Sequence, residues 1–265
     1  MKVAKNSGVT LNLRRFDFWV LLAVSLIALG AEMVLDMESE GRLHAPVLVI
    51  LAVTVLVLAV LLALGASRFP RQADFSTLPI LAAWRSGSLT APAAVLPLIV
   101  GIATGVLQSY AAIQYRQSLK HWLGPAPFTH PSHPQLLSVA DILSSSIIEE
   151  IMFRAVLFAF LVIFIRWVWE TPIANKSIPI WIANVLQSLA FGAAHVALGI
   201  GGLKASPWYV SLLLAAQTWS GLVLGCIYWK YGLESATTSH VTYDLLLLGL
   251  ARHKGIRRAA MAPLF

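Results

Sequence analysis

The sequence predicts an all-α polytopic bundle of about seven to eight transmembrane helices, and three observations predict it. Hydrophobic residues make up 58% of the 265 residues and charged residues only 12%, about half the charged share of an ordinary soluble domain. Mean hydropathy is +0.77. Several apolar runs reach the ~20 residues that a helix needs to cross a bilayer, and most of the nine tryptophans stand near the ends of those runs, as interfacial anchors do.

The net charge of +7 does not point to nucleic acid. Its lysines and arginines lie in short loops and at the ends of the chain rather than along one helical face, which is the loop bias of a multi-pass membrane protein. Cys226 is the single cysteine, so neither an internal disulfide nor a thiolate metal cage is expected. The basic beginning runs into an apolar stretch without a small-residue cleavage site, so a retained first helix is expected, not a cleaved leader.

In chain order, residues 1–15 read as a basic tail and 18–113 as three N-terminal spans: 18–35, 45–66 and 91–113. Glu32 lies near the end of the first, and an acidic loop over 36–40 follows it. The second is apolar apart from Thr54. A polar stretch with Arg68, Arg71 and Arg85 separates it from the third. Residues 115–134 read as a connector holding Arg116, Lys120, His121, Trp122, His130 and His133, the histidines as surface groups. The longest helical pattern covers 135–169, and further spans cover 177–199, 208–229 and 233–250. Tyr228, Trp229, Lys230 and Tyr231 read as an interfacial belt, and Gly221 and Gly225 as a small-residue pair for helix packing. No repeat or linker divides the chain, so residues 1–265 are expected to form one integral membrane domain of the plasma (inner) membrane, with 136–250 as its working part. Both ends are basic, which argues for an even number of crossings, whereas these runs are odd in number. Either one run fails to cross or a short crossing is hidden between residues 67 and 134.

Three polar clusters break the apolar spans. The first is Glu149, Glu150 and Arg154; a charge at mid-bilayer costs about 3 kcal/mol even on the lenient insertion scale. Residues four apart share a helical face, so Glu150 stacks on Arg154 with Ser146 one turn before, and Asp141, Ser145 and Glu149 form an adjacent row. Glu149, about 100° round the helix, is left without a cation of its own. An ion pair that merely fixes packing explains Glu150 and Arg154 but not Glu149, and a free carboxylate suits a general base or acid. The second cluster places Phe191 and His195 on one face, with Asn184, Gln187 and Ser188 one and two turns earlier. The third pairs His240 with Asp244, four residues on. Asp244 would orient the imidazole, or both would bind a metal. A buried packing role for each histidine is the bland alternative, and it weakens as such clusters accumulate. Glu150 lies on the order of 20 Å into its helix and His240 at about the same level from the opposite side. His195, some 6–9 Å from the end of its helix, fits that level less well.

Together the three clusters resemble the CAAX protease and bacteriocin-processing family of intramembrane endopeptidases, the family of the type II CAAX prenyl endopeptidase. Its Glu-Glu-x-x-x-Arg motif matches Glu149, Glu150 and Arg154; its Phe-x-x-x-His motif matches Phe191 and His195; its last motif, His-x-x-x-Asn or a related polar residue, matches His240 and Asp244. The glycine-rich tract 221–233 is similar as well. The resemblance covers residues 136–250 and implies hydrolysis of a peptide bond in a membrane-associated or lipidated protein or peptide. It implies that Glu149 and His195 activate water, that His240 and Asp244 stabilise the oxyanion, that Glu150 and Arg154 orient the site, and that Phe191 contacts substrate. Asp244 departs from the commoner asparagine, because an ionised carboxylate accepts but cannot donate. It would have to carry a proton, orient His240, or bind a metal, which keeps open a Zn2+ metalloendopeptidase using His195, His240 and Glu149 beside the metal-independent form expected. Two other classes compete: a non-catalytic immunity or scaffold protein that binds a peptide without cutting it, and a proton-coupled transporter, for which neither inverted repeats nor paired broken helices are visible.

Overall fold

The computed structural model describes residues 17–30, 45–75, 78–123, 139–169, 177–199 and 207–253. Every predicted span is helical over its described residues: α1 Asp17–Gly30, α2 Ala45–Gln72, α4 Ala91–Leu123, α5 Val139–Glu150, α6 Ala159–Val168, α7 Ser177–Gly199, α8 Pro207–Tyr231 and α9 Leu233–His253. A short helix, α3 Pro79–Arg85, was not expected. Glu32, the acidic loop, His130 and His133 lie outside the described residues. Among the described residues, four stretches are long and apolar enough to cross a bilayer: Ala94–Tyr115, Ile142–Val168, Ser177–Ala197 and Pro207–Tyr231. Helix α9 falls short of that standard because Ser235, Ser239, His240 and Asp244 interrupt it, and all four are buried against other helices.

Several boundaries differ from the sequence reading. Helix α2 runs on through Pro70, so Arg68 and Arg71 are helical rather than in a loop. Helix α4 continues to Leu123, which puts Arg116, Lys120 and Trp122 on a helix instead of in a connector. Helix α3 has seven residues, hence a length of about 10 Å, and is too short to be the hidden crossing. Pro79 opens it and Gly87, at φ +68°, follows its end. Leu78 supplies no side-chain cap; Glu234 of α9 does so instead, its Oε1 accepting the Leu81 N–H at 3.1 Å. A carboxylate at a helix N-terminus satisfies an orphan donor and complements the helix dipole.

The bundle closes through small residues, as expected where lipid gives helices no hydrophobic reason to associate. Helix α8 meets α7 at Gly221, where a Cβ would stand 3.0 Å from Ser188 Cα, and at Gly225, where it would collide with Asn184. Helix α4 meets α9 at Gly101 and Gly105; a Cβ there would stand 2.6 Å from the Ser235 carbonyl and 2.5 Å from that of Ser239. Ala63 and Ala66 of α2, both fully buried, pack beside Phe158 and Ala159. Phe75, Phe158 and Tyr228 close one end of this core, with ring centroids 5.2–6.1 Å apart. Tyr228, 1% exposed, is therefore a core residue and not part of an interfacial belt. Trp229 is half-buried and Lys230 exposed: Trp229 packs edge-on against Trp181 at 5.9 Å, and the Lys230 ammonium sits 4.0 Å above the Trp229 ring. Large apolar side chains such as Leu107, Trp167 and Trp219 stay more than half exposed, a surface suited to acyl chains rather than water.

The close approach at α4 and α9 gives a direct test. Gly105→Val should cost about 1–3 kcal/mol of stability through overpacking, whereas Leu107→Val on the exposed face of the same helix should stay within about 0.5 kcal/mol. Unfolding in mixed micelles, followed by circular dichroism, measures both.

Candidate active site

The long helix carrying Glu149 and Glu150 is not uniform. Immediately after Glu150 it widens into a π-helical segment, Ile151–Phe158, before resuming as α6. Such segments cost backbone regularity and recur at functional sites. Here the segment begins between the glutamates and Arg154, and the stack predicted from α-helical spacing survives it. Glu150 and Arg154 are both fully buried, with Oε1 3.3 Å from a guanidinium nitrogen. The same Oε1 accepts from His240 Nδ1 at 2.8 Å. One carboxylate oxygen thus joins α5, the π segment and α9.

Phe191 completes this node from α7. Its ring lies 4.3 Å under the Arg154 guanidinium, a cation–π contact, and meets Phe153 edge-on at 5.1 Å. The rings of His195 and His240 stand 4.2 and 6.0 Å from it. At 1% exposure, Phe191 presents its surface to these side chains and almost none outward.

The second glutamate behaves differently. Glu149 is 26% exposed, and its Oε2 faces His195 Nε2 at 3.5 Å and His240 Nε2 at 3.8 Å. The other nitrogen of His195, Nδ1, lies 3.0 Å from the Phe191 carbonyl. A carbonyl only accepts, so that nitrogen carries the proton and Nε2 is turned towards Glu149. His195, near the end of α7, reaches the common level after all, because α7 packs on the π segment and brings its last turns alongside Glu149. Asp244 Oδ2 accepts from the Ser146 hydroxyl at 2.9 Å and lies 3.5 Å from His240 Nε2. The seven residues of the three motifs, Glu149, Glu150, Arg154, Phe191, His195, His240 and Asp244, therefore gather in one place. Asp141 lies outside the described side chains.

Asn184, Gln187 and Ser188, expected beside His195, turn to α8 instead. Asn184 Nδ2 donates to the Leu222 carbonyl at 3.1 Å, and Gln187 Nε2 donates to the Gly221 carbonyl at 3.1 Å and to Asn184 Oδ1 at 2.8 Å. They brace the helix that carries His195. Gln108 and Ser109 of α4 were missed altogether. Both are buried among α8 and α9, and the Gly101-x-x-x-Gly105 spacing one turn earlier was the available signal of a close helix contact there. Among the described residues no three His, Cys, Asp or Glu side chains are grouped so as to hold a metal ion. The zinc alternative through His195, His240 and Glu149 thus lacks a preformed ligand set.

Apolar helices of membrane length around a buried glutamate–histidine site define the class: an integral membrane protein with a polar site inside its helical bundle. Residues 131–246 match the family model described as Type II CAAX prenyl endopeptidase Rce1-like, and that stretch, which holds every residue of the site, is similar to that family of proteases. No curated protein and no solved structure matches the chain. Helices α1–α4 lie outside the matched residues.

The buried pair can be tested without reference to activity. Arg154→Met leaves Glu150 without its cation and should cost about 3–5 kcal/mol. Adding Glu150→Gln removes the stranded charge and should recover part of that loss in the same unfolding measurement.

Proposed function

We propose that the protein is a multi-pass intramembrane endopeptidase that hydrolyses a peptide bond in a membrane-associated or lipidated protein, without a metal. The observation that carries this is the division of labour between adjacent carboxylates. Glu150 is fully buried and held by Arg154 and His240, whereas Glu149 is partly exposed and faces two imidazole nitrogens across 3.5 and 3.8 Å. Those gaps are too long for strong direct hydrogen bonds, and they suit a water bridging the carboxylate to a ring nitrogen.

In the proposed reaction Glu149 takes one proton of that water while His195 Nε2 accepts a hydrogen bond from the other. The water oxygen bonds to the scissile carbonyl carbon, whose oxygen becomes the oxyanion. Both nitrogens of His240 face carboxylates, and an imidazolium donates from both; Nε2–H is the donor that turns to the oxyanion. Of the roles open to Asp244, this mechanism uses the orienting one: its Oδ2 accepts from Ser146 and lies 3.5 Å from His240 Nε2. The proton on Glu149 then passes to the departing amide nitrogen, the C–N bond breaks, and a carboxylate and an amine are released. Donors fixed before the charge develops are the largest contributor in such sites.

Glu149→Gln should lower turnover by about 100- to 10,000-fold, the usual value of a general base, with folding intact. Comparing protein N- and C-termini in membranes carrying the wild-type or variant protein measures it. Identical termini would favour the peptide-binding scaffold. Asp244→Asn preserves an acceptor for Ser146, so its turnover should stay within about tenfold, a barrier change near 1.4 kcal/mol; a purified-protein cleavage assay checks it.

A further inference from the structure

His240 faces three carboxylates on one side of α9, and its neighbour Ser239, about 100° round the helix, faces α4. That second face is built as closely as the first. Gly101 and Gly105 of α4 let the backbones approach until an added Cβ would strike the Ser235 and Ser239 carbonyls. The Ser235 hydroxyl donates to the Pro97 carbonyl, and the Ser109 hydroxyl donates to the Tyr243 carbonyl at 3.2 Å. Within this stripe Gln108 stands apart because it grips two helices at once. Its Nε2 donates to Ser239 Oγ at 3.2 Å, and its Oε1 accepts from Ser220 Oγ of α8 at 3.0 Å. The side chain is 7% exposed, and both ends of its amide are used.

An apolar side chain would fill this position equally well but would tolerate sliding of α9 along α4. An amide bonded at both ends does not, because a shift along the axis breaks its directional bonds. His240 must stay within 2.8 Å of Glu150, and displacement of α9 by one residue's rise, about 1.5 Å, would end that contact. We infer that Gln108 is a positioning residue, which fixes the axial register of α9 and so places the His240 ring between Glu150 and Glu149. It touches no reacting group. It also lies outside residues 131–246, the stretch that the family model matches, so the N-terminal helices become part of the site's support and not only membrane anchorage.

The inference deepens the proposed peptidase reading and rests on it for one of two readouts. The full-length protein is reconstituted in nanodiscs with nitrogen-labelled histidine, and the Nδ1–H resonance of His240 is assigned by its loss in His240→Gln. Gln108→Met removes both hydrogen bonds at similar volume; Ser239→Ala removes the acceptor alone and serves if the first variant does not fold. Either is expected to shift or broaden the His240 resonance and to lower kcat about tenfold to a hundredfold, the scale of a small misplacement in a site, with KM within about twofold. A merely structural side chain would lower the unfolding temperature and leave the resonance and kcat of the folded fraction unchanged, and that result overturns the inference. If wild-type protein cuts nothing, the peptidase reading falls, and the His240 resonance alone decides the role of Gln108.

Discussion

One oxygen atom, Oε1 of Glu150, holds this structure together at its centre. It is completely buried, 3.3 Å from the Arg154 guanidinium and 2.8 Å from His240 Nδ1. In low dielectric each of these groups alone would be costly, and together they oblige the π segment and α9 to stay where the charges can meet. Phe191 lies against the same guanidinium, which extends the constraint to α7. Glu149 is the preceding residue in the chain, so fixing Glu150 also fixes where Glu149 points. The adjacent carboxylate is thereby presented to His195 and His240 without needing a cation of its own.

The residues of this centre were legible because membranes make polar groups conspicuous. Glu149, Glu150, Arg154, His195, His240 and Asp244 stand out in apolar runs, and a 3.6-residue period is enough to stack Glu150 on Arg154. The family resemblance then ordered them, and the match over residues 131–246 agrees with it. The helices were legible for the same reason, and the run predicted over 177–199 is helical throughout. Helical period names a face but not its partner. Asn184 and Gln187 share a face with His195 yet bond to α8, because the glycines at 221 and 225 bring that backbone within reach. Helix α3 was invisible because seven residues carry too little pattern, and its cap comes from Glu234, far away in sequence. The π segment was hidden too, since widening by one residue leaves no mark on composition.

Tertiary braces explain how so polar a centre is tolerated in a helical bundle. Helix α7 is tied to α8 by the Asn184–Gln187 amides, and α9 is tied to α4 by Gln108, Ser109 and Ser235. Polar bonds and close small-residue contacts are what specify register between helices where lipid removes the hydrophobic drive. The two histidine-bearing helices are thus each pinned from behind, and their imidazoles meet on Glu149 from two sides. A site whose members sit on rigid elements is held more accurately than one on loops.

In the proposed mechanism Glu149 activates a water rather than attacking the peptide itself. Single-turnover cleavage in heavy-oxygen water, with a substrate identified from altered protein termini, separates the two. Attack by an activated water puts heavy oxygen in the new C-terminal carboxylate of the product and none in Glu149, as read by proteolysis and mass spectrometry of the enzyme. Label recovered in the Glu149 side chain would show a covalent acyl-enzyme and contradict it.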